Sequence, residues 1–307
     1  MKHLAIRLIL ATLLAGAAWA QLVRQVRANI ARDDFPAAER LIAEYKAGNG
    51  VTPEMILALS WLGRGAQAAR MWDKAGAYAA ETRKLALAEL KKRPLDAEKD
   101  LPLALGASIE VQAHVMAARD ARGEAVAFLH EELKSWYSTS IRTRIQKNIH
   151  LLSLEGKPAP PLEMKEYLGA KPAPLAQLKG KPLLLFFWAH WCGDCKYQGP
   201  VLARLQREYG PKGLFVIGPT QPYGYVAGGE DAPRAEELRY VEAVRLEKYG
   251  NLQMAVPVSE ENFKKYGAST TPTIVLVDRA GVVRLYHPGK MSYETLAPLV
   301  AGVVAGS

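Results

Sequence analysis

The chain of 307 residues has two cysteines, and both fall in one five-residue stretch, Trp191-Cys192-Gly193-Asp194-Cys195. This stretch follows Leu183 to Ala189, an unbroken apolar run opened by Pro182, which has the length and composition of a strand covered on both faces. Helical spacing begins at Cys195 and runs to Tyr209. A cysteine pair at such a strand-to-helix junction demands an α/β layer around it. At a helix N-terminus the first sulfur meets oriented backbone N–H groups and the positive end of the dipole, which favour thiolate, and Cys192 is expected to face solvent. The second sulfur, one turn on, is close enough to close a disulfide, so a mixed disulfide at Cys192 can be resolved by Cys195 within the same chain.

Beyond the motif, short apolar runs alternate with helical segments. Leu214 to Gly218, Thr273 to Val277 and Val282 to Tyr286 are expected as strands, and Asp231 to Tyr249 and Ser292 to Val304 as helices, with a hairpin around Arg279-Ala280-Gly281. This predicts an α/β domain over 162–307. Gly218 to Gly229 is glycine-rich, but Glu230-Asp231 comes next, where a phosphate cradle needs Gly-Lys-Ser/Thr, so a nucleotide site is excluded. Tyr223 and Tyr225 in it are expected in a solvated loop, with contact to substrate above the cysteines as the alternative.

Residues 21–155 have a different character. They are rich in Ala, Leu, Arg and Glu, with apolar residues three and four apart, as in Ile56, Leu59 and Leu62 or Val111 and Val115. Five to seven helices in antiparallel pairs are expected, broken at Gly48-Asn49-Gly50, Pro94, Asp100-Leu101-Pro102 and near Gly123. Trp61, Trp72, Trp136 and Tyr137 are expected in their core. Between the halves, Gly156-Lys157-Pro158-Ala159-Pro160-Pro161 reads as a stiff, extended linker over 156–161. Residues 1–20 have the pattern of a secretory signal: Lys2 and Arg7, an uncharged apolar Leu8 to Ala18, and Ala18-Trp19-Ala20 before a cleavage point. An uncleaved membrane anchor is the alternative.

Composition narrows the partners. The formal charge of +9 divides as +2 over 1–20, +3 over 21–155 and +4 over 156–307, so no basic stripe forms and a nucleic-acid partner is not expected. With 49% hydrophobic residues the chain has material for a sizeable core, which leaves the two cysteines free for chemistry.

Two resemblances add to this reading. Lys181 to Cys195, with Pro200 later in the helix, together with Tyr266-Gly267 and Thr271-Pro272-Thr273 through Gly281, resembles exported thioredoxin-like proteins of the TlpA/ResA type over about residues 157–305. The resemblance implies a thioredoxin fold, a cis peptide bond before Pro272 beside the redox pair, and substrate contacts from Trp191, Thr271 and Pro272. It further implies thiol-disulfide exchange with exported protein thiols and disulfides, no cofactor beyond the Cys192–Cys195 disulfide, no metal, and an electron donor or acceptor that in this family is often membrane-bound. Two carboxylates of related proteins are absent, since Phe186 and Gln198 occupy their places. That leaves His190, Asp194 and Lys196 as candidates for tuning the thiols, although His190 reads first as an exposed strand-end residue. In the N-terminal half, Ala58 to Leu87 with Trp61-Leu62-Gly63 and Tyr78-Ala79 resembles a tetratricopeptide (TPR) unit, and stacked helical pairs leave a groove for a partner. The rival function is an interaction scaffold carrying a structural or redox-regulated thioredoxin-like module. A copper-handling role with His287 is a lesser rival, because copper carriers of this fold usually have three residues between the cysteines.

Overall fold

A computed structural model describes residues 21–169, 171 and 178–306, so the targeting segment expected over 1–20 lies outside the described residues. The chain divides into two compact units, Met1–Ile145 and Gln146–Ser307.

Among its described residues the first unit is all helical: α1 (21–30), α2 (Phe35–Asn49), α3 (Pro53–Ala68), α4 (Trp72–Glu89), α5 (Asp100–Ala118) and α6 (Arg122–Ser135). Local chemistry starts these helices. The Asp34 carboxylate accepts from the Ala37 N–H at 3.0 Å to cap α2, and Thr52 accepts from Met55 N–H at 3.2 Å to cap α3, each with a proline in the first turn. Within each pair α1/α2, α3/α4 and α5/α6, the turn has one non-glycine residue in the left-handed region, namely Asp33, Arg70 and Asp120. The turns are thus equivalent, although their spacing in sequence is unequal.

The four aromatic residues expected in the core of this unit lie outside it. Trp61 sits between the guanidinium groups of Arg27 and Arg64, 4.2 and 4.1 Å from its ring centre. Tyr137 is 53% exposed under Arg142, and Trp136 keeps its Nε1 bonded to Glu132 at 3.0 Å. Trp72, at the first position of α4, is half-buried. The interior is built mainly from alanine and aliphatic residues, including Ala58, Ala66, Ala75, Ala79, Ala86, Ala104 and Ala107, with Phe35 as a buried ring. Helix α5 is long and apolar enough to cross a membrane, yet most of it is buried against α3, α4 and α6, as the central helix of a packed bundle would be.

The second unit begins within α7 (Arg142–Ser153). From Gln146 onward this helix packs on the α/β half: His150 Nε2 lies 2.8 Å from the Lys265 carbonyl and its ring meets Tyr286 edge-on. The segment 156–161 is extended, as its prolines require, but it is no free spacer. Gly156 N–H donates to Val283 O, Ala159 N–H to Gly281 O, and the Pro160 carbonyl accepts from Tyr266 OH, so the expected linker is laid along the sheet.

The central sheet has the order β3-β2-β5-β6, with β2 (Leu183–Phe187) parallel to β3 (Phe215–Ile217) and antiparallel to β5 (Thr273–Val277), which forms a hairpin with β6 (Val283–Pro288). Alternation on β2 explains its continuous apolarity. Leu184 and Phe186 join one buried cluster with α8 (Gly193–Tyr209), α9 (Arg234–Tyr249) and α11 (Tyr293–Ala305), while Leu185 and Phe187 join another that includes Leu154, Leu162, Phe263 and Tyr266. This is the expected all-α half followed by a thioredoxin-like α/β half. Three short elements went unread: the pair β1 (Tyr167–Leu168) and β4 (Val256–Pro257), and α10 (Glu260–Tyr266), which Ser259 caps. Elements of two to seven residues are too short for a periodicity to register.

Candidate active site

The strand β2 ends at Phe187, and the chain is then held by backbone and side-chain bonds to the loop after β3. Trp188 N–H donates to Pro219 O at 3.1 Å, its Nε1 donates to Gly218 O at 2.9 Å, and Thr220 Oγ1 donates to the Trp188 carbonyl at 3.0 Å. A turn comes next, closed by Cys192 N–H to Ala189 O at 3.2 Å, with His190 and Trp191 at its centre. It delivers Cys192 to the N-cap of α8, where Sγ accepts from the Cys195 N–H at 3.0 Å. The two sulfurs form a disulfide, with Cα atoms 5.2 Å apart.

Cys192 is 3% exposed and Cys195 fully buried, so the expectation of a solvent-facing first cysteine is corrected. The turn draws Cys192 into the cluster that holds Ala189, Cys195 and Met291, and the exposed member of the motif is Trp191, at 48%. The Thr271–Pro272 peptide is cis. Because Thr273 pairs with Phe187, this bond continues β5 beside the end of β2 from which the cysteine motif departs, and the Pro272 carbonyl accepts from Gly289 N–H at 2.7 Å.

The charged candidates separate. Asp194, on the exposed side of α8, pairs with Lys290 Nζ at 2.7 Å, and that pairing raises the ammonium above its usual range. Lys196 is half-buried on the same helix. His190 is 1% exposed, which overturns its reading as an exposed strand-end residue. The reason is tertiary: Tyr223 and Tyr225 of the loop and Tyr240 of α9 surround its ring at 5.8, 5.3 and 5.4 Å, so the loop expected in solvent is packed on the motif. Burial lowers the His190 pKa below its ordinary value, against the opposing pull of the Glu237 carboxylate, whose Oε1 lies 3.5 Å from Nε2. That separation is an electrostatic contact, and Nε2 has no hydrogen-bond partner among the described residues.

Glu237 is the residue sequence reasoning missed. It stands in the first turn of α9, forty-odd residues from the motif, in a helix start that reads as ordinary capping chemistry, and no local pattern marks it. Gln198, three residues beyond Cys195 on α8, is fully buried. Its Oε1 accepts from Met291 N–H at 2.7 Å, and its Nε2 has no partner among the described residues. At the position of the missing strand carboxylate, Phe186 packs edge-on against Tyr249, whose ring lies so near α8 that a Cβ on Gly199 would stand 2.8 Å from it. Among the described residues no group of three or more His, Cys, Asp or Glu side chains is placed to hold a metal ion.

The arrangement can hold a disulfide, offer helix N–H groups to a sulfur anion, and present an indole beside it. Comparison with known proteins agrees. Residues 173–303 match the model of a thioredoxin-like domain. The chain is 30% identical over 143 residues to the thioredoxin-like protein YneN of Bacillus subtilis, spanning 76% of that protein and 46% of this chain. It is 33% identical over 162 residues to the thiol:disulfide interchange protein DsbE of Xylella fastidiosa, spanning 72% of it and 49% of this chain. With the thiol-disulfide oxidoreductase ResA of Bacillus anthracis it shares 28% over 142 residues, 73% of that protein and 46% of this chain. Two of these three relatives are named for thiol-disulfide exchange, and all three match about half of the present chain. From the sulfur pair, the sheet around it and these likenesses together, the chain belongs to the thioredoxin-like family of thiol-disulfide oxidoreductases.

Proposed function

We propose that this protein is an exported enzyme that exchanges disulfides with protein substrates, with Cys192 as the attacking sulfur and Cys195 as the resolving one. The observation that carries the assignment is the capping position of Cys192, whose sulfur accepts the Cys195 N–H while Cys195 itself is fully buried. In the reducing direction, the Cys192 thiolate attacks one sulfur of a substrate disulfide. The new S–S bond forms as the substrate's bond breaks, and the departing sulfur leaves as a thiolate that takes up a proton. Cys195, having lost its proton, then attacks Cys192 Sγ, which releases the second substrate thiolate and restores the Cys192–Cys195 disulfide. Two electrons have passed to the substrate, and the reverse sequence oxidises a dithiol. In this reading Trp191, exposed next to Cys192 in the chain, contacts the substrate, while Thr271 and Pro272 offer backbone to its extended segment.

The redox group in this reading is the disulfide itself. An electron donor or acceptor outside this chain, membrane-bound or soluble, resets it, and the potential of that partner sets the net direction. The helical unit, which has no cysteine, supplies a surface that selects the partner. Export is inferred from the charged, apolar and small-residue order of residues 1–20. The test is trapping in the full chain: Cys195→Ser is expected to accumulate mixed disulfides with exported proteins, identified by mass spectrometry. Stable adducts on Cys192→Ser alone would overturn the assignment.

A further inference from the structure

Burying an imidazole and a carboxylate together, beside the redox motif, is a costly use of a protein interior, because both groups lose hydration that apolar residues would not need. The Glu237 carboxylate is compensated by the backbone. Oε1 accepts from Tyr223 N–H at 2.5 Å and Oε2 from Gly224 N–H at 2.9 Å, a convergence that the positive φ of Gly224, +86°, allows. Glu237 thereby clips the loop after β3 to α9. The clipped loop encloses His190 through Tyr223 and Tyr225, and Tyr223 also meets the Trp191 ring at 5.4 Å. His190 in turn is a central residue of the turn whose closing bond is the Cys192 N–H. An unbroken physical connection therefore runs from α9 through a carboxylate and an imidazole to the residue before Trp191 and Cys192.

We propose that His190, enclosed by the loop that Glu237 clips to α9, is a positioning residue for Cys192, fixing the turn that places its sulfur at the start of α8 and supplying a charge near it that switches with pH. The inference rests on the reading of Cys192 as the attacking thiol. Its electrostatics come from counting charges. With a neutral imidazole the buried pair carries one negative charge, which opposes a thiolate two residues away, and with an imidazolium the pair is neutral and the opposition is gone. Other groups face His190 from every side. Lys196 on α8 disfavours the imidazolium, and the loop's Tyr223 and Tyr225 have phenols that burial pushes above their usual range, so they stay uncharged at neutral pH. Tyr240 and Glu237 face it from α9. The ionisation of His190 and that of the Cys192 thiol are thus coupled, and each appears in the other's titration.

The experiment is the rate of alkylation of the reduced full-length protein by iodoacetamide between pH 4 and pH 10, with the modified cysteine identified by peptide mass spectrometry. The unmodified sequence is expected to give a Cys192 profile with two limbs, the lower one below about pH 6.5 from His190. In His190→Gln the lower limb disappears and the rate on its acid side falls about three- to tenfold, with the two proteins converging near pH 9. In Glu237→Gln the lower limb moves to more acidic pH, because the carboxylate that favours the imidazolium is gone. A single-limbed profile for the unmodified sequence, or a His190→Gln rate changed by one factor at every pH, overturns the proposal and leaves the exchange function standing. Preferential alkylation of Cys195 in every protein would instead overturn the reading of the site on which the proposal rests. Should His190→Gln fail to fold, as judged by circular dichroism, the unmodified profile and Glu237→Gln decide the matter.

Discussion

At Gly267 the chain passes closer to another backbone than any side chain permits. The residue caps α10 in the left-handed region, with φ of +61°, and a Cβ there would lie 2.3 Å from Lys147 N, 2.6 Å from its Cα and 2.7 Å from the Gln146 carbonyl carbon. All three are backbone atoms of α7, so no rotamer change relieves the overlap. Gly267→Ala therefore carries two costs: about 1–2 kcal/mol for placing alanine in the left-handed region, and about 1–3 kcal/mol for forcing α7 and α10 apart. Gly281→Ala isolates the first, because Gly281 has φ of +82° and no described atom within 4 Å of the added carbon. Hydrogen exchange of the β5 amides, read out by mass spectrometry, reports the opening of the second unit by itself. Exchange in Gly267→Ala is expected to exceed that in Gly281→Ala by about five- to 150-fold, the equivalent of the contact term alone. Equal exchange in the two variants would refute the packing of α7 against Gly267, and with it the view that the second unit begins inside that helix.

Buried groups give three further expected outcomes. Burial raises the Glu54 carboxyl pKa, with the Tyr45 hydroxyl opposing, so its stabilising share is present below the unfolded pKa and is lost as pH rises through the folded one. Glu54→Gln should then raise thermal stability at pH 7 by about 1 kcal/mol, with the gain vanishing below pH 4, and equal gains at both would contradict this. Glu132, bonded to both Arg83 guanidinium nitrogens at 3.0 and 2.6 Å and to Trp136, ties α6 to α4; Glu132→Ala should cost about 2–3 kcal/mol in urea unfolding, less than a fully buried pair because Arg83 is partly exposed. Gly199→Ala should cost about 1–3 kcal/mol by pressing on Tyr249, and the companion Tyr249→Leu should recover most of that loss in calorimetry if the contact is its cause.

The cysteine motif, the buried strand before it and the switch from three-and-four spacing to alternating strands and helices were all legible in the sequence, because each is a local pattern with its own physical signature. Leu183–Phe187 is apolar throughout since both faces of β2 are covered, and Gly193–Tyr209 has ordinary helical spacing. The proline segment was legible as extended, though its docking along β6 depended on partners more than a hundred residues away. Only tertiary structure decided that His190 is buried, that Tyr223 and Tyr225 pack on it, and that Glu237 reaches it from α9. A single histidine two residues before a cysteine carries no sign of its burial, and a glutamate in the first turn of a helix reads the same whether it faces water or an imidazole. Likewise, the indoles of the helical unit could be read as core by hydrophobicity alone, whereas a core built mainly of alanine and aliphatic side chains leaves them only half-buried. Sequence determines which chemistry a short segment can support, and burial, which depends on everything folded around that segment, decides in what electrostatic state the chemistry is held.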